Sequence, residues 1–142
     1  MIVLNDVELI MPLRSVGLLK DGLFGISQLY FSENYFETTE VIAIKELEKN
    51  GDLTIFDLSN DFFSFYNKNH ALNPNIAVTD ISSVYYAQKY KLTLVSRCKH
   101  VGKFASQCDV NICEPIEALK AINANKEQIN ILEYIMTSIM TN

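Results

Sequence analysis

Between Asp80 and Glu114 the chain switches repeatedly between helical and extended character with almost no linker. Asp80-Ile-Ser-Ser-Val-Tyr-Tyr-Ala-Gln-Lys-Tyr carries apolar residues at helical spacing (Ile81, Val84, Tyr85, Ala87). Leu92-Thr-Leu-Val is a short run of strand formers, His100-Val-Gly-Lys-Phe-Ala is helical again, and Val110-Asn-Ile-Cys is extended again. Such alternation predicts a parallel sheet covered by helices, because each helix returns the chain to the sheet's starting edge. Ligands in open parallel sheets bind beyond the carboxyl ends of the strands. Two places are thereby singled out: Asp80 at a helix start, and Ser96-Arg97-Cys98 just past a strand.

The preceding sequence extends the pattern. Met1 to Leu4 reads as a buried central strand, and Glu8 to Leu19 as a helix with Pro12 in its first turn. Gly22 and Gly25 punctuate the next stretch, and Gln28 to Phe31 reads as a second strand. Ser32 is a candidate N-cap followed by Glu33, opening a helix that runs to about Lys49 and stops at Asn50-Gly51. Leu53 to Leu58 reads as a third strand. Ser59 or Asn60 then caps a short aromatic helix whose Phe62, Phe63, Phe65 and Tyr66 suit packing. Asn67 to Pro74 is loop-like, and Thr79 or Asp80 caps the helix that follows. Beyond the fifth strand, Pro115 opens a last helical region broken near Asn123-Ala-Asn125. The tail carries Ile129, Leu132, Ile135, Met136, Ile139 and Met140, a stripe that suits either docking on the domain's own core or a dimer or partner surface.

The expectation is an α/β fold: three layers, with a central, mostly parallel five-stranded sheet flanked by helices. At 142 residues the chain fits one domain, with residues 115–142 as a helical tail. Seventeen acidic against twelve basic residues leave a net charge of −5, which gives no general attraction to nucleic acid or anionic membrane. A local basic stretch (Lys89, Lys91, Arg97, Lys99, His100, Lys103) reads as a solvated face. Cys98, Cys108 and Cys113 lack zinc-type spacing and suit reduced thiols in a cytoplasmic protein. Neither a signal peptide nor a membrane span is expected from the sequence. There is no Gly-x-x-x-x-Gly-Lys and no Gly-x-Gly-x-x-Gly, which counts against nucleotide binding in a flavodoxin-like alternative.

With this order of elements, the chain resembles a PIN domain, a family of small metal-dependent ribonucleases. The resemblance rests on Asp80-Ile-Ser-Ser, Leu92-Thr-Leu-Val-Ser-Arg-Cys, Gly102-Lys-Phe-Ala and Val110-Asn-Ile. It extends to the opening Ile2-Val-Leu-Asn-Asp-Val-Glu-Leu-Ile and to Leu23 through Glu37. It implies a cluster of acids at the sheet's carboxyl edge holding Mg²⁺ or Mn²⁺, which polarises phosphoryl oxygen and activates water. Carried over by position, the first acid falls on Asn5 without a gap or on Asp6 with one. The second is Glu37, with Glu40 one turn on, the third is Asp80, and the fourth falls on Cys98. Ser96 stands where the family has Thr or Ser.

The set is depleted. A thiol is a poor ligand for a hard cation, Asn5 brings no charge, and neighbouring Arg97 disfavours a cation. The expected catalytic and metal-binding residues are therefore Asp6, Glu37 and Asp80, with Asn5, Glu40, Ser96 and Cys98 as further candidates. Two functions follow from the resemblance. One is a degenerate PIN-like domain with weak or lost ribonuclease activity and a binding role toward RNA or a protein partner. The other is an active Mg²⁺- or Mn²⁺-dependent endoribonuclease of a toxin–antitoxin pair, with an antitoxin partner and homodimerisation. Cys98 with His100 as a thiol–base pair lacks an orienting third group, and His70 reads as solvent-exposed.

Overall fold

The chain builds outward from its first strand in two directions. The computed structural model describes residues 1–32 and 35–141, and for Ser32 and residues 139–141 the backbone only. Strand β1 (Ile2–Leu4) leads through a 3-10 turn (Val7–Leu9) and helix α1 (Ile10–Ser15) to β2 (Phe24–Ser27). A short α2 (Leu29–Ser32) and α3 (Thr38–Lys49) precede β3 (Leu53–Phe56). Then come α4 (Asn60–Asn69), a 3-10 turn (His70–Leu72), α5 (Val78–Tyr90), β4 (Thr93–Val95), α6 (Lys99–Gln107), β5 (Ile112–Cys113), α7 (Pro115–Ala121) and α8 (Lys126–Thr141).

The five strands form one sheet in the order β3-β2-β1-β4-β5. Every pairing is parallel, with Ile2 opposite Phe24 on one side and Thr93 on the other. The expected three-layer α/β architecture is the observed one. The period-two alternation of the strands builds both outer layers. Val3, Leu94 and Phe56 enter one core with Phe62, Ile81, Val84, Val101 and Phe104 of α4, α5 and α6. Leu4, Val95 and Ile55 enter the other with residues of α1, α3, α7 and α8. Parallel crossovers are right-handed, so reversing direction across the sheet moves the covering helices to the opposite face. The reversal falls between β1 and β4. Their carboxyl ends therefore diverge toward different layers and leave a crevice, the topological switch point.

Several elements differ from the sequence expectation. The second strand is Phe24–Ser27, and Leu29 to Ser32 is helical. Gly25 lies inside this strand rather than ending one. A Cβ there would sit 2.5 Å from Cε2 of Phe56, so the absence of a side chain makes room for that ring. The first helix is shorter than expected, because α1 ends at Ser15 and Gly17 follows at φ 77°. Helix α3 starts at Thr38, with Glu37 and Glu40 forming a capping box, later than Ser32-Glu33 would have it. The Ser32 side chain and Glu33 lie outside the described residues. Much of the expected loop after Asn67 is helical, because α4 continues to Asn69. Ala77 is the N-cap of α5, which makes Asp80 its third residue.

The tail helix packs on the domain's own core: Leu132 and Met136 are buried in the cluster that holds Leu4 and Val95. Ile139 and Met140, the end of the apolar stripe, lie outside the described side chains. Among the described residues no helix is long and apolar enough to cross a membrane.

A candidate site at the switch point

Asn5 is the last residue of the first strand region still tied to the sheet, its N–H donating to the Val95 carbonyl at 2.9 Å. Ser96 is tied in the same way to Cys113, at 3.2 Å. The two chain segments then part, and Asn5, Asp6 and Ser96 remain buried at the crevice.

One set of hydrogen bonds centres on Asn5. Its Nδ2 donates to Ser96 Oγ at 3.2 Å, and its Oδ1 accepts from the Tyr30 hydroxyl at 2.9 Å. The same hydroxyl lies 3.2 Å from the Asn5 carbonyl oxygen and 3.5 Å from Ser83 Oγ. Tyr30 reaches this position because α2 begins immediately after β2 and turns the ring toward the end of β1. The side chain of Asn5 and the backbone of Ala77 both favour the charged form of the Asp80 carboxyl. Burial pushes the Asp80 carboxyl above its ordinary range, and the charge of Glu8 adds to this. Asn5 and the Ala77 backbone pull it back without cancelling the rise. Burial likewise drives the Tyr30 phenol well above the usual tyrosine range.

A second set centres on Arg97. Its backbone N–H and its Nε donate to Asp6 Oδ2 at 3.0 and 3.1 Å, and its Nη2 donates to Glu8 Oε1 at 2.6 Å. Asp6 is nevertheless raised. Burial is the main cause and Glu8 adds to it, outweighing the opposing pull of the guanidinium. Asp80, Asp6 and Glu8 share one electrostatic site, since all three charges also raise Tyr35, after burial. The ring of Tyr35 stands edge-on to Tyr30 with centroids 5.4 Å apart.

The structure joins Asn5 to Ser96 directly and brings the charges of Asp6 and Asp80 to bear on the same tyrosine, Tyr35. Glu37 does not join them. It is exposed at the N-terminus of α3, where its N–H donates to Glu40 Oε1 at 3.0 Å. Cys98 is exposed at the N-cap of α6, and its N–H donates to Ser96 Oγ at 3.1 Å. Among the described residues no three His, Cys, Asp or Glu side chains gather as a metal-holding group, so Asp6, Glu37 and Asp80 are not one. The donor set does not fit Mg²⁺ or Mn²⁺ as it stands. Such ions need several oxygens free to coordinate, chiefly charged ones. Here Asp6 Oδ2 accepts twice from Arg97, Asn5 Oδ1 accepts from Tyr30, and Ser96 Oγ accepts from Asn5 and from Cys98.

Two participants were not visible in the sequence reading. Tyr30 was hidden by the misplaced second strand. Glu8 has one signal: it lies two residues beyond Asp6, in the turn after a strand whose neighbour is followed by Arg97.

Fold and site together define a parallel α/β domain with a polar crevice at its switch point. The chain matches no model of a known protein family and no curated protein.

Proposed function

We propose that this is a PIN-like domain that has lost metal-dependent hydrolysis and keeps a binding role. One observation supports this above the rest: Asp6, the first acid by position if a gap is allowed, is committed to Arg97. Asn5, the first position without a gap, is committed to Tyr30 and Ser96. Hydrolysis by a hard cation needs carboxylate oxygens facing the ion, not an arginine. The partner is RNA or a protein. The net charge of −5 weighs against RNA, whose phosphates are held by counter-charges. Three free cysteines suit a reducing compartment, and the cytoplasm is the proposed location.

The test is incubation of the wild-type protein with single-stranded RNA in Mn²⁺, with fluorescence anisotropy on the same RNA in parallel. No cleavage is expected. Binding without cleavage selects RNA as partner, and absence of both selects a protein. Cleavage that disappears in Asp80→Ala would overturn the proposal in favour of an active endoribonuclease of the toxin–antitoxin kind.

A further inference from the structure

Arg97 grips two acids on a turn 91 and 89 positions away in sequence. Its contacts converge: backbone N–H and Nε meet on a single oxygen of Asp6, while Nη2 meets Glu8 Oε1. Asp6 and Glu8 stand at the start of one 3-10 turn, where their like charges repel each other. The third guanidinium nitrogen, Nη1, is buried and has no hydrogen-bond partner among the described residues. The guanidinium thus sets one positive charge between two carboxylates. Access is open on one side, since the Glu8 side chain is 33% exposed against 10% for Asp6.

We propose that Arg97 is the resident cation of this rim, holding the place between Asp6 and Glu8 that a free divalent cation would otherwise take, and that removing the guanidinium opens the rim to such an ion. Two carboxylates completed by water are an ordinary ligand set for Mg²⁺ or Mn²⁺. This deepens the non-hydrolytic reading, because it names what keeps the metal out. The device is covalent, always charged and insensitive to metal supply.

The experiment is calorimetric titration of Mn²⁺ at low ionic strength into the wild-type chain, Arg97→Gln and Arg97→Gln/Asp6→Asn. Arg97→Gln is expected to bind one Mn²⁺ at least about tenfold more tightly than wild type, since an attractive pair replaces a repulsive cation. The double variant is expected to lose that gain. Equal affinity in a folded Arg97→Gln, or a gain that survives Asp6→Asn, would overturn the proposal. If Arg97→Gln is unfolded without metal, added Mn²⁺ must restore its circular dichroism, because binding and folding are then linked; failure to do so also overturns it. RNA cleavage by wild type would refute the loss of hydrolysis proposed above without bearing on this titration, so the two failures are distinguishable.

Discussion

The Tyr30 hydroxyl donates to Asn5 Oδ1 at 2.9 Å, joining the helical turn after β2 to the end of β1. This bond fixes the Asn5 amide, which in turn donates to Ser96 Oγ. The polar crevice is thus held by a phenol buried to 2% exposure rather than by a metal-binding carboxylate at position 5.

Tyr30→Phe removes that donor and leaves buried acceptors behind. The expected loss is about 1–2 kcal/mol, read as a lower urea midpoint at unchanged slope. The variant also changes the alkaline limb. The folded-state phenol ionises above its unfolded value of 10.0, so its contribution is full below that pH and is lost as the pH rises further. Wild type should therefore lose stability above pH 10 more steeply than Tyr30→Phe.

Asp80→Asn should stabilise the protein at neutral pH. The folded-state carboxyl lies above its unfolded value of 3.8, so the folded chain holds the proton more tightly. Stability from this group is present below that value and lost as the pH rises through the folded-state pKa. A neutral amide avoids the loss. Thermal melts should show a gain of about 2–4 °C at pH 7 that shrinks toward pH 3. A lower melting temperature at pH 7 would show that the carboxylate is needed for the fold.

Arg97 and Asp6 should be energetically coupled. A double-mutant cycle of Arg97→Gln and Asp6→Asn by urea denaturation is expected to give a coupling of about 1–3 kcal/mol, because the side-chain pair is partly buried and hydrogen-bonded through Nε. Additive effects would assign the arginine to Glu8 alone.

Leu132→Ala tests the tail. Leu132 is 1% exposed in the core that also contains Leu4 and Val95. Truncation should cost about 2–4 kcal/mol and keep unfolding cooperative. A cost below about 0.5 kcal/mol, the range of surface substitutions, would show that α8 contributes little to the domain.

The alternation from Asp80 to Cys113 carried the architecture because a helix between two strands is the crossover that parallel pairing needs. It also marks Asp80 at a helix start and Ser96 just past a strand, whereas Asn5 and Asp6 are marked only by the resemblance to PIN domains. Glu37 was misjudged because capping a helix and coordinating a metal call for the same residue type at the same kind of place, and only the Glu40 contact separates them. Tyr30 was missed because Gly25 looked like a strand breaker when read along the chain. Its true reason is the Phe56 ring from the neighbouring strand, which no local pattern records.

That ring has a consequence for how the chain can vary. Cε2 and Cζ of Phe56 fill the space where position 25 would carry its first carbon, and the same ring supports Tyr86 and Tyr90 at centroid distances of 5.0 and 5.5 Å. Positions 25 and 56 can therefore drift only as a couple. Any descendant that trades the glycine for alanine must first shrink its partner, and in doing so it strips the backing from Tyr90 and deepens the roughly 610 Å³ trough beside β3.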